Sequence, residues 1–251
     1  MIAAPVMGLI ALAIRLDSPG PALFRHRRIG MNHRRSTPRR DGSDRRPAIA
    51  LVATVNTYTG TDRRRDEARR KTGDRREIDD FGRPFTLYKF RTMCVDAKDR
   101  FPELYDYEYT EEELDTLPIK VLMGGPRGPD GVKQGSDLGS DPRLTRVGRW
   151  LRRTSLDELP NFINVFLGDM ALVGPRPDIA KQIRYYRAEH MAKLNAKPGL
   201  TGLAQVKGRG TLTFHETNEI DIEYLHRRSI RFNLAILLET VRVTLGGHGA
   251  Y

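Results

Sequence analysis

The densest group of side chains that could carry out chemistry lies in residues 152–161. Two adjacent carboxylates, Asp157 and Glu158, follow a pair of arginines there. A carboxylate can attack phosphorus as a nucleophile, and the resulting acyl phosphate divides one difficult displacement into two easier ones. A neighbouring carboxylate can hold Mg²⁺, because this cation prefers oxygen ligands and accepts substrate phosphate as a further ligand. The arginines would clamp a diphosphate and lower the pKa of both acids.

The same residues also fit a purely structural interpretation. Ser155 and Glu158 have the spacing of a capping box, and acids in a first helical turn interact favourably with the helix dipole. Pro160 weakens this interpretation, because a proline one turn inside a helix removes a backbone hydrogen bond. From the residues alone, the catalytic and the structural interpretations are equally supported.

A second candidate for phosphate binding is Arg176. Pro175 and Pro177 fix the backbone on both sides of this arginine and so aim its guanidinium, which suits a phosphate ligand. A rigid turn that carries a solvated arginine explains the same residues equally well.

Residues 85–91 have the alternating, aromatic-rich pattern of a strand, and residues 22–29 have a second strand pattern that would pair with it as a hairpin. Lys89 and Arg91 would share one face of the strand, with aromatic side chains on the other. The two cations could bind phosphate, although cations that alternate with aromatic residues also occur in strands that bind RNA.

Later in the chain, Arg209 lies in a basic, glycine-containing turn that could approach a nucleotide or be an ordinary loop. Asp221 lies in an acidic and apolar stretch and could bind a ribose or cap a surface helix. His215 and His226 have no partner pattern, so we interpret them as structural or solvated. Cys94 follows a strand and is interpreted as a small buried residue rather than a nucleophile.

Helical periodicity predicts the elements that surround these residues. It appears at residues 144–151, 156–166 and 233–244, and a polar helix is predicted at 179–194. Residues 203–206 resemble a strand. The helix at 233–244 is apolar on nearly all sides, which is typical of a core helix or an interfacial one. We predict an α/β fold in which a small mixed sheet is surrounded by helices.

Residues 1–14 are apolar, but about 20 such residues are needed for a helix to cross a bilayer. No charged segment precedes them, so a secretory signal is not expected. Two interpretations remain, a buried core helix and a helix that enters the membrane without crossing it. Length alone favours the core helix.

Composition limits the classes of partner. The 251 residues include 43 Lys and Arg against 32 Asp and Glu, which gives a net charge of +11. This charge indicates an anionic partner: nucleic acid, a phosphate-bearing substrate or an acidic membrane surface. The single cysteine excludes an internal disulfide framework. One cysteine and six scattered histidines also lack the spacing of a zinc cluster.

Residues 31–80 contain repeated arginine pairs and triplets among small polar residues. This composition cannot bury enough apolar surface to offset the entropy of ordering, so we predict a largely disordered insertion. It could be a basic arm for lipid or RNA, although a solvated insert without a specific partner is favoured. A nucleic-acid-binding protein is the rival function class, but base stacking needs aromatic residues and Tyr58 is the only one in this segment.

Together and in this order, the motifs resemble those of the bacterial sugar transferases, the monotopic polyprenyl-phosphate phosphoglycosyl transferases. The resemblance covers about 200 residues. The matching segments are residues 18–21 with 23–24, 85–93, 141–148, 154–161, 164–170, 172–177, 197–202 and 205–206.

The resemblance implies that Asp157 and Glu158, together the dyad, carry out a ping-pong reaction. Asp157 would attack the sugar-linked phosphate of a UDP-sugar and expel UMP, and the phosphosugar would then pass to polyprenyl phosphate. Glu158 would be the partner of Asp157, and Mg²⁺ would bind at the dyad as the cofactor.

The same resemblance assigns further residues. Lys89, Arg152 and Arg176 match positions that bind phosphate in this family, and Arg209 and Asp221 match positions near the nucleotide. The implied pathway is the first membrane step of exopolysaccharide, O-antigen or other glycan assembly. Its partners would be a UDP-sugar, polyprenyl phosphate and inner-membrane lipid, with no nucleic acid, and a homodimer is compatible with it.

The implied organisation is a membrane-associating helix at residues 1–17, followed by a catalytic domain at residues 18–251. The site would lie at the cytoplasmic face of the bacterial inner membrane. Family members carry a re-entrant helix that is broken at a proline; Pro5 matches that proline and residues 7–16 match the returning arm. The first arm has no counterpart here, so we expect an upstream start or a truncated protein.

Overall fold

A computed structural model describes residues 3–31, 82–129, 131–133, 141–208 and 210–246. The predicted insertion lies outside the described residues except for Met31, and Arg209 lies outside them as well. The helices are α1 (Ala3–Asp17), α2 (Ala97–Arg100), α3 (Glu111–Thr116), α4 (Ile119–Gly124), α5 (Arg146–Thr154), α6 (Asn161–Phe166), α7 (Ala180–Ile183), α8 (Leu203–Gly208), α9 (Phe214–Arg227) and α10 (Ile230–Leu245). The strands are β1 (Leu23–Ile29), β2 (Pro84–Phe90), β3 (Ala171–Val173) and β4 (Gly199–Thr201). Short 3-10 helices are formed by Pro102–Tyr105, Leu156–Glu158 and Glu189–Asn195.

The predicted hairpin between the two early strands is confirmed. β1 and β2 pair antiparallel over their whole length, from Leu23 opposite Phe90 to Ile29 opposite Pro84. Phe24 lies directly opposite Lys89, so these two side chains share one face of the ribbon. The hairpin therefore presents Lys89 close to the end where β2 leaves the sheet.

Helix α1 packs one apolar face onto the hairpin and α5. Ile10 and Ile14 are buried together with Phe90 and Leu151. The core-helix interpretation is thus correct for one face only. The opposite face exposes an apolar stripe at intervals of three or four residues, formed by Val6, Leu9, Leu12 and Leu16.

The end of α1 is fixed by hydrogen bonds from residues far away in the sequence. The buried Arg91 guanidinium donates to the carbonyl groups of Ser18 at 2.8 Å and Pro19 at 2.6 Å. The Asp17 carboxylate accepts a hydrogen bond of 3.0 Å from the backbone N–H of Val147 at the start of α5. The prediction that Arg91 offers a phosphate-binding cation beside Lys89 is therefore wrong, because its guanidinium is used to anchor α1.

Pro5 lies in the first turn of the described helix, where proline is tolerated, and α1 continues without a break to Asp17. Across the described ranges, no helix combines the length and apolar character needed to span a bilayer. The re-entrant helix therefore stays a prediction.

The segment that carries the dyad departs from the capping-box interpretation. Ser155 has φ 57° and ψ 16°, a left-handed conformation that ends α5. The dyad then lies in the 3-10 turn Leu156–Glu158, and within this described turn the Ser155 side chain makes no capping hydrogen bond. Pro160 takes the N-cap position of α6. A helix that began at Ser155 would contain this proline, and the chain avoids that cost by ending one helix and beginning another.

The second sheet consists of β3 and β4, which pair in parallel. A Cβ on Gly174, next to β3, would lie 2.5 Å from the Lys197 carbonyl oxygen, so the two chain segments approach too closely for any side chain. The α/β fold class is confirmed, but the described strands form two separate two-stranded sheets and not one mixed sheet.

Two predicted elements in the C-terminal half are wrong. Residues 179–194 form the short α7 and a 3-10 helix in place of one continuous polar helix. The strand predicted at 203–206 is α8, whose residues Leu203 and Ala204 are buried. Leu203 packs with Tyr224 of α9 and Ile236 of α10, so tertiary contacts favour the helix.

Candidate active site

The two carboxylates of the dyad lie beside one lysine of the hairpin. Lys89 Nζ lies 2.5 Å from Glu158 Oε1 and 3.9 Å from Asp157 Oδ2. The side chains of Asp157 and Glu158 are 13% and 35% exposed. The dyad is thus partly shielded from water but open on one side, as a group that must meet a substrate has to be.

Asn164 of α6 holds the dyad segment against the hairpin. This fully buried amide accepts a hydrogen bond of 3.1 Å from the backbone N–H of Tyr88 and donates one of 2.6 Å to the Thr86 carbonyl. Its side chain thereby replaces a missing strand partner at the outer edge of β2. We infer that Asn164 is a positioning residue for Lys89, a role that the sequence prediction did not assign to it.

Arg152 approaches Asp157 from α5. Its Nε donates a hydrogen bond of 3.1 Å to Thr92 Oγ1, and α5 lies so close to residue 92 that a Cβ on Gly148 would be 2.0 Å from the Thr92 carbonyl oxygen. Burial lowers the pKa of Arg152, and the negative charge of Asp157 acts in the opposite direction. Arg152 therefore interacts electrostatically with Asp157, and its binding of substrate phosphate stays a prediction.

Arg176 and Arg28 extend the positive surface on the Glu158 side. Both guanidinium groups act on Glu158 electrostatically. Arg28 Nη1 donates a hydrogen bond of 3.2 Å to the Pro177 carbonyl. Burial, followed by repulsion from Arg176, lowers the pKa of Arg28 to about 10. No sequence pattern distinguished Arg28 from the other cations in β1. Its position opposite Phe85 in the hairpin register places it on the face that carries Lys89.

The two acids of the dyad differ in their affinity for protons. Burial raises the pKa of Asp157 to about 6, although the positive charge of Lys89 opposes this shift. Burial would also raise the pKa of Glu158, but Lys89 and then Arg176 and Arg28 outweigh it, so the net shift is downward. At neutral pH both carboxylates are therefore ionised, and Asp157 is the more basic of the two.

A buried triad of Lys193, Asp178 and Asp221 supports the segment that carries Arg176. Lys193 Nζ lies 2.7 Å from Asp178 Oδ2 and 2.8 Å from Asp221 Oδ2. Asp221 also accepts a hydrogen bond of 3.3 Å from the backbone N–H of Arg176, and the Tyr186 hydroxyl donates to Asp178. The triad thus ties α9 and the segment 189–195 to the Gly-Pro-Arg-Pro turn.

The position of Asp221 does not support the predicted nucleotide contact. Its side chain is fully buried, and both a cation and a backbone N–H already contact its carboxylate. A ribose could reach it only by breaking the ion pair with Lys193. In this structure Asp221 instead fixes the backbone of Arg176. The prediction for Arg209 lies outside the described residues.

One further residue considered in the sequence analysis is Cys94. Cys94, predicted to be a small buried residue, is half-buried. A cavity of about 400 Å³ lies between β3, residues 195–197 and the start of α10, and the dyad is not among the residues that line it. The dyad itself lies at an open surface.

The dyad fits Mg²⁺ by the chemistry of its donors. Mg²⁺ in proteins is usually held by one or two carboxylates, with substrate phosphates and water as the other ligands. Asp157 is 3.9 Å from Lys89, too far for a hydrogen bond, so its oxygens are not fully engaged by that cation. Asp157 and Glu158 would be the protein ligands.

Taken together, the arrangement can attack and bind phosphate. A basic carboxylate at Asp157 lies among three predicted cations, and a fourth, Arg28, was not predicted. The cations can neutralise a diphosphate that approaches the nucleophile.

Comparisons with known proteins agree with this chemistry. The sequence profile of the family described as "Bacterial sugar transferase" matches residues 70–247. The chain is 34% identical to a "UDP-glucose:undecaprenyl-phosphate glucose-1-phosphate transferase" of Caulobacter vibrioides over 99% of its own length and 66% of that protein.

Two other relatives are similar over about two thirds of the chain's length. The identity is 38% to "Galactosyl transferase CpsE" of Streptococcus agalactiae, over 67% of this chain and 33% of that protein. It is 39% to "UDP-galactose-lipid carrier transferase" of Erwinia amylovora, over 68% of this chain and 32% of that protein. The chain thus spans about a third of the length of these two relatives.

Proposed function

Because this chain belongs to the bacterial sugar transferase family, we propose that it transfers a phosphosugar from a UDP-sugar to polyprenyl phosphate and releases UMP. The relatives are named for the transfer of galactose or glucose units, two of them with a lipid or undecaprenyl-phosphate carrier in the name. These names favour a transferase over the alternative of a nucleic-acid-binding protein.

In the first step, a carboxylate oxygen of Asp157 attacks the phosphorus that carries the sugar. The bond between this phosphorus and the oxygen that bridges to UMP breaks, and UMP leaves with the bonding electron pair. The enzyme then carries the phosphosugar as an acyl phosphate on Asp157. The raised pKa of Asp157, about 6, supports this role, because a more basic carboxylate is the stronger nucleophile and is still ionised at neutral pH.

In the second step, a phosphate oxygen of the lipid carrier attacks the same phosphorus. The bond to Asp157 breaks, the carboxylate is regenerated, and the phosphosugar ends in a new diphosphate linkage to the lipid. Both steps transfer the same phosphoryl group, so one set of cations can serve both.

Lys89, Arg152, Arg176 and Arg28 would hold the diphosphate and stabilise the negative charge that develops on the leaving group. Mg²⁺, held by Asp157 and Glu158, would supply further neutralisation of phosphate charge when bound. Glu158, which is paired with Lys89 at 2.5 Å, keeps that ammonium beside the nucleophile. The observation that carries the proposal is this single contact set: one lysine between two adjacent, partly exposed carboxylates, with three arginines around them.

The apolar surface supports a location at a membrane. Helix α1 exposes the stripe described above, and α10 exposes a second stripe with similar spacing, formed by Ile230, Leu234, Leu238 and Val241. Directly after the dyad, α6 and the next residue expose Phe162, Phe166 and Leu167. Large apolar side chains on helices are typical of proteins that lie in the membrane interface. We propose that these surfaces place the dyad at the depth of a lipid phosphate on the cytoplasmic face of the inner membrane.

The activity can be tested with the full chain, membranes that contain polyprenyl phosphate, and a panel of UDP-sugars. One sugar should give UMP and a lipid-linked phosphosugar in equal amounts, and EDTA should abolish both. Release of free sugar phosphate without a lipid product, or no reaction with any UDP-sugar, would contradict the proposal.

The membrane location has a separate test by flotation with anionic liposomes. Leu9→Glu combined with Leu12→Glu should weaken binding at least about 100-fold, because about 1.5–3 kcal/mol is lost per leucine side chain. Val132→Glu changes an exposed valine in a loop and serves as the matched control. Equal binding of the double variant and the control would show that α1 does not contact lipid.

A further inference from the structure

A group of potential metal ligands lies apart from the dyad, between α3 and α9. Glu111 and Asp115 are one helical turn apart on α3, so their carboxylates share a face. His215 lies at the start of α9. The ligand atoms of the three residues all lie within 4.8 Å of one another. No sequence motif indicated this group, because about 100 residues separate the histidine from the acids.

The imidazole of His215 lacks the hydrogen bonds that a buried polar group requires. Its side chain is 4% exposed, and neither ring nitrogen has a hydrogen-bond partner in the described part of the chain. A buried polar group without a hydrogen-bond partner is destabilising, so the unpaired imidazole calls for an explanation. Nε2 is directed at the two acids, 3.7 Å from Glu111 Oε2 and 3.9 Å from Asp115 Oδ1.

These distances suit a cation between the three groups. A tetrahedral ion with bonds of about 2.1 Å to nitrogen and oxygen holds its ligand atoms about 3.4 Å apart. The two separations from Nε2, 3.7 Å and 3.9 Å, exceed this by a few tenths of an ångström, and the ligand oxygens of Glu111 and Asp115 lie within 4.8 Å of each other. Both acids are exposed, so their side chains can move by that amount without disturbing the core. Arg187 now pairs with Asp115 at 3.0 Å in an exposed ion pair, which contributes little and can be replaced.

The residues that surround Glu111, Asp115 and His215 also suit a bound cation. The ring of His190 lies 5.3 Å from that of His215, and its Nε2 likewise has no hydrogen-bond partner within the described ranges. Leu114 of α3 and Phe214 of α9, the neighbours of two of the ligands, are fully buried in one hydrophobic cluster. The backbone of the site is therefore fixed by packing.

We propose that Glu111, Asp115 and His215 form a binding site for Zn²⁺ that links α3 to α9. One imidazole and two carboxylates are ligands that zinc accepts, and water from the exposed side completes four-coordination. The ion would coordinate the His215 imidazole, which has no hydrogen-bond partner among the described residues, and would neutralise the charges of Glu111 and Asp115. The site is structural, because it joins two elements that pack in the same cluster and contains none of the residues of the dyad.

The test is titration of the metal-free full chain with Zn²⁺ in competition with a chromophoric chelator. One ion should bind per chain, and both Glu111→Gln and Asp115→Asn should weaken its binding at least tenfold. Glu112→Gln removes the same charge from an exposed neighbour on α3 and should bind zinc within twofold of the parent. Co²⁺ should give the intense visible absorption of a four-coordinate site in the parent and in Glu112→Gln only.

Two further measurements keep the result unambiguous. Zinc should raise the melting temperature of the parent chain and of Glu158→Gln, whose dyad is altered, but not that of Asp115→Asn. Circular dichroism of the metal-free variants confirms that they are folded, which is expected since both substituted acids are exposed. Binding that persists in Glu111→Gln and Asp115→Asn, or that is lost in Glu158→Gln, would overturn the assignment, as would the absence of micromolar binding to the parent.

Discussion

Two regions of this molecule place one lysine between two carboxylates, and they differ in how completely the charges are satisfied. In the buried triad, the Lys193 side chain is 4% exposed and contacts both partners, at 2.7 Å and 2.8 Å. It also donates a hydrogen bond of 3.1 Å to Asn218. At the dyad, Lys89 is 26% exposed and contacts Glu158 closely, but it is 3.9 Å from Asp157.

The comparison supports our proposal that the same residue types serve structure in one place and chemistry in another. The triad is closed, so its charges can only hold α9 and the Arg176 segment together. The dyad is open and leaves one basic carboxylate incompletely paired. An incompletely paired carboxylate at a surface can react with a substrate, whereas a fully paired and buried one cannot.

The largest expected effect is on catalysis at the dyad. Asp157→Asn removes the nucleophile while keeping the shape of the side chain, so transfer should fall by at least about 10³-fold. Asp99→Asn, an exposed acid on α2, is the control and should retain full activity. UMP release with excess substrate measures both variants.

Unlike its activity, the thermal stability of the Asp157→Asn variant should not fall below that of the parent. The folded pKa of about 6 lies above the ordinary value of 3.8, so the protonated form is favoured by folding. This contribution is complete below the ordinary pKa and is lost as the pH rises through about 6. At pH 8 the neutral amide should therefore melt no lower than the parent. A large decrease in melting temperature would show that Asp157 belongs with the structural residues.

The next largest effect is on the free energy of unfolding, and it comes from breaking the buried triad. Lys193→Met leaves two carboxylates buried without their cation, which should reduce the free energy of unfolding by about 3–5 kcal/mol. Lys207→Met breaks the exposed pair with Glu223 at 2.8 Å and should cost less than about 1 kcal/mol. Urea denaturation measures both. If the two variants lost equal stability, burial would not be what distinguishes the triad.

Lys89→Met should have an intermediate effect on activity. Loss of one phosphate-binding cation should reduce kcat/KM about 100-fold, by analogy with the removal of one charge-stabilising donor. Because Lys89 holds down the pKa of both acids, the acidic limb of the pH profile should also move to higher pH. A fall in activity without this movement would mean that Lys89 acts on the substrate alone.

The smallest effect is the pH dependence of the parent enzyme. UMP release should fall about tenfold for each unit below pH 6, since the nucleophile must be ionised and burial raises its pKa to about 6. Between pH 7 and 8 the rate should be flat. A limb centred near pH 4 would instead indicate an unperturbed carboxylate.

Much of the site could be predicted because it depends on local pattern. The alternation at residues 85–91 indicated the strand that presents Lys89, and adjacent acids beside arginines indicated the dyad. Pro160 argued correctly against a helix that began at Ser155. Each of these features is encoded in a few neighbouring residues.

The remaining features depend on contacts between distant segments. Arg28 resembles its neighbours in a run of cations, and only the hairpin register brings it to the site. Asn164 is one of two asparagines in the otherwise apolar α6, and its role depends on its hydrogen bonds to the edge of β2. Asp221 seemed available to a ligand until Lys193, 28 positions earlier, was found against it. Leu203 and Ala204 have good helix propensity, and their burial against α9 and α10 decided the outcome.

The central claim is that Asp157 becomes covalently phosphorylated, and intact-mass measurement tests it most directly. The full chain is incubated with the reactive UDP-sugar in the absence of polyprenyl phosphate. The reaction is then quenched and the intact mass of the chain is measured. The account predicts an increase equal to one phosphosugar, located on the peptide that contains Asp157, removed by addition of polyprenyl phosphate and absent from Asp157→Asn. An unmodified chain that releases UMP only when the lipid is present, or the same adduct on Asp157→Asn, would contradict it.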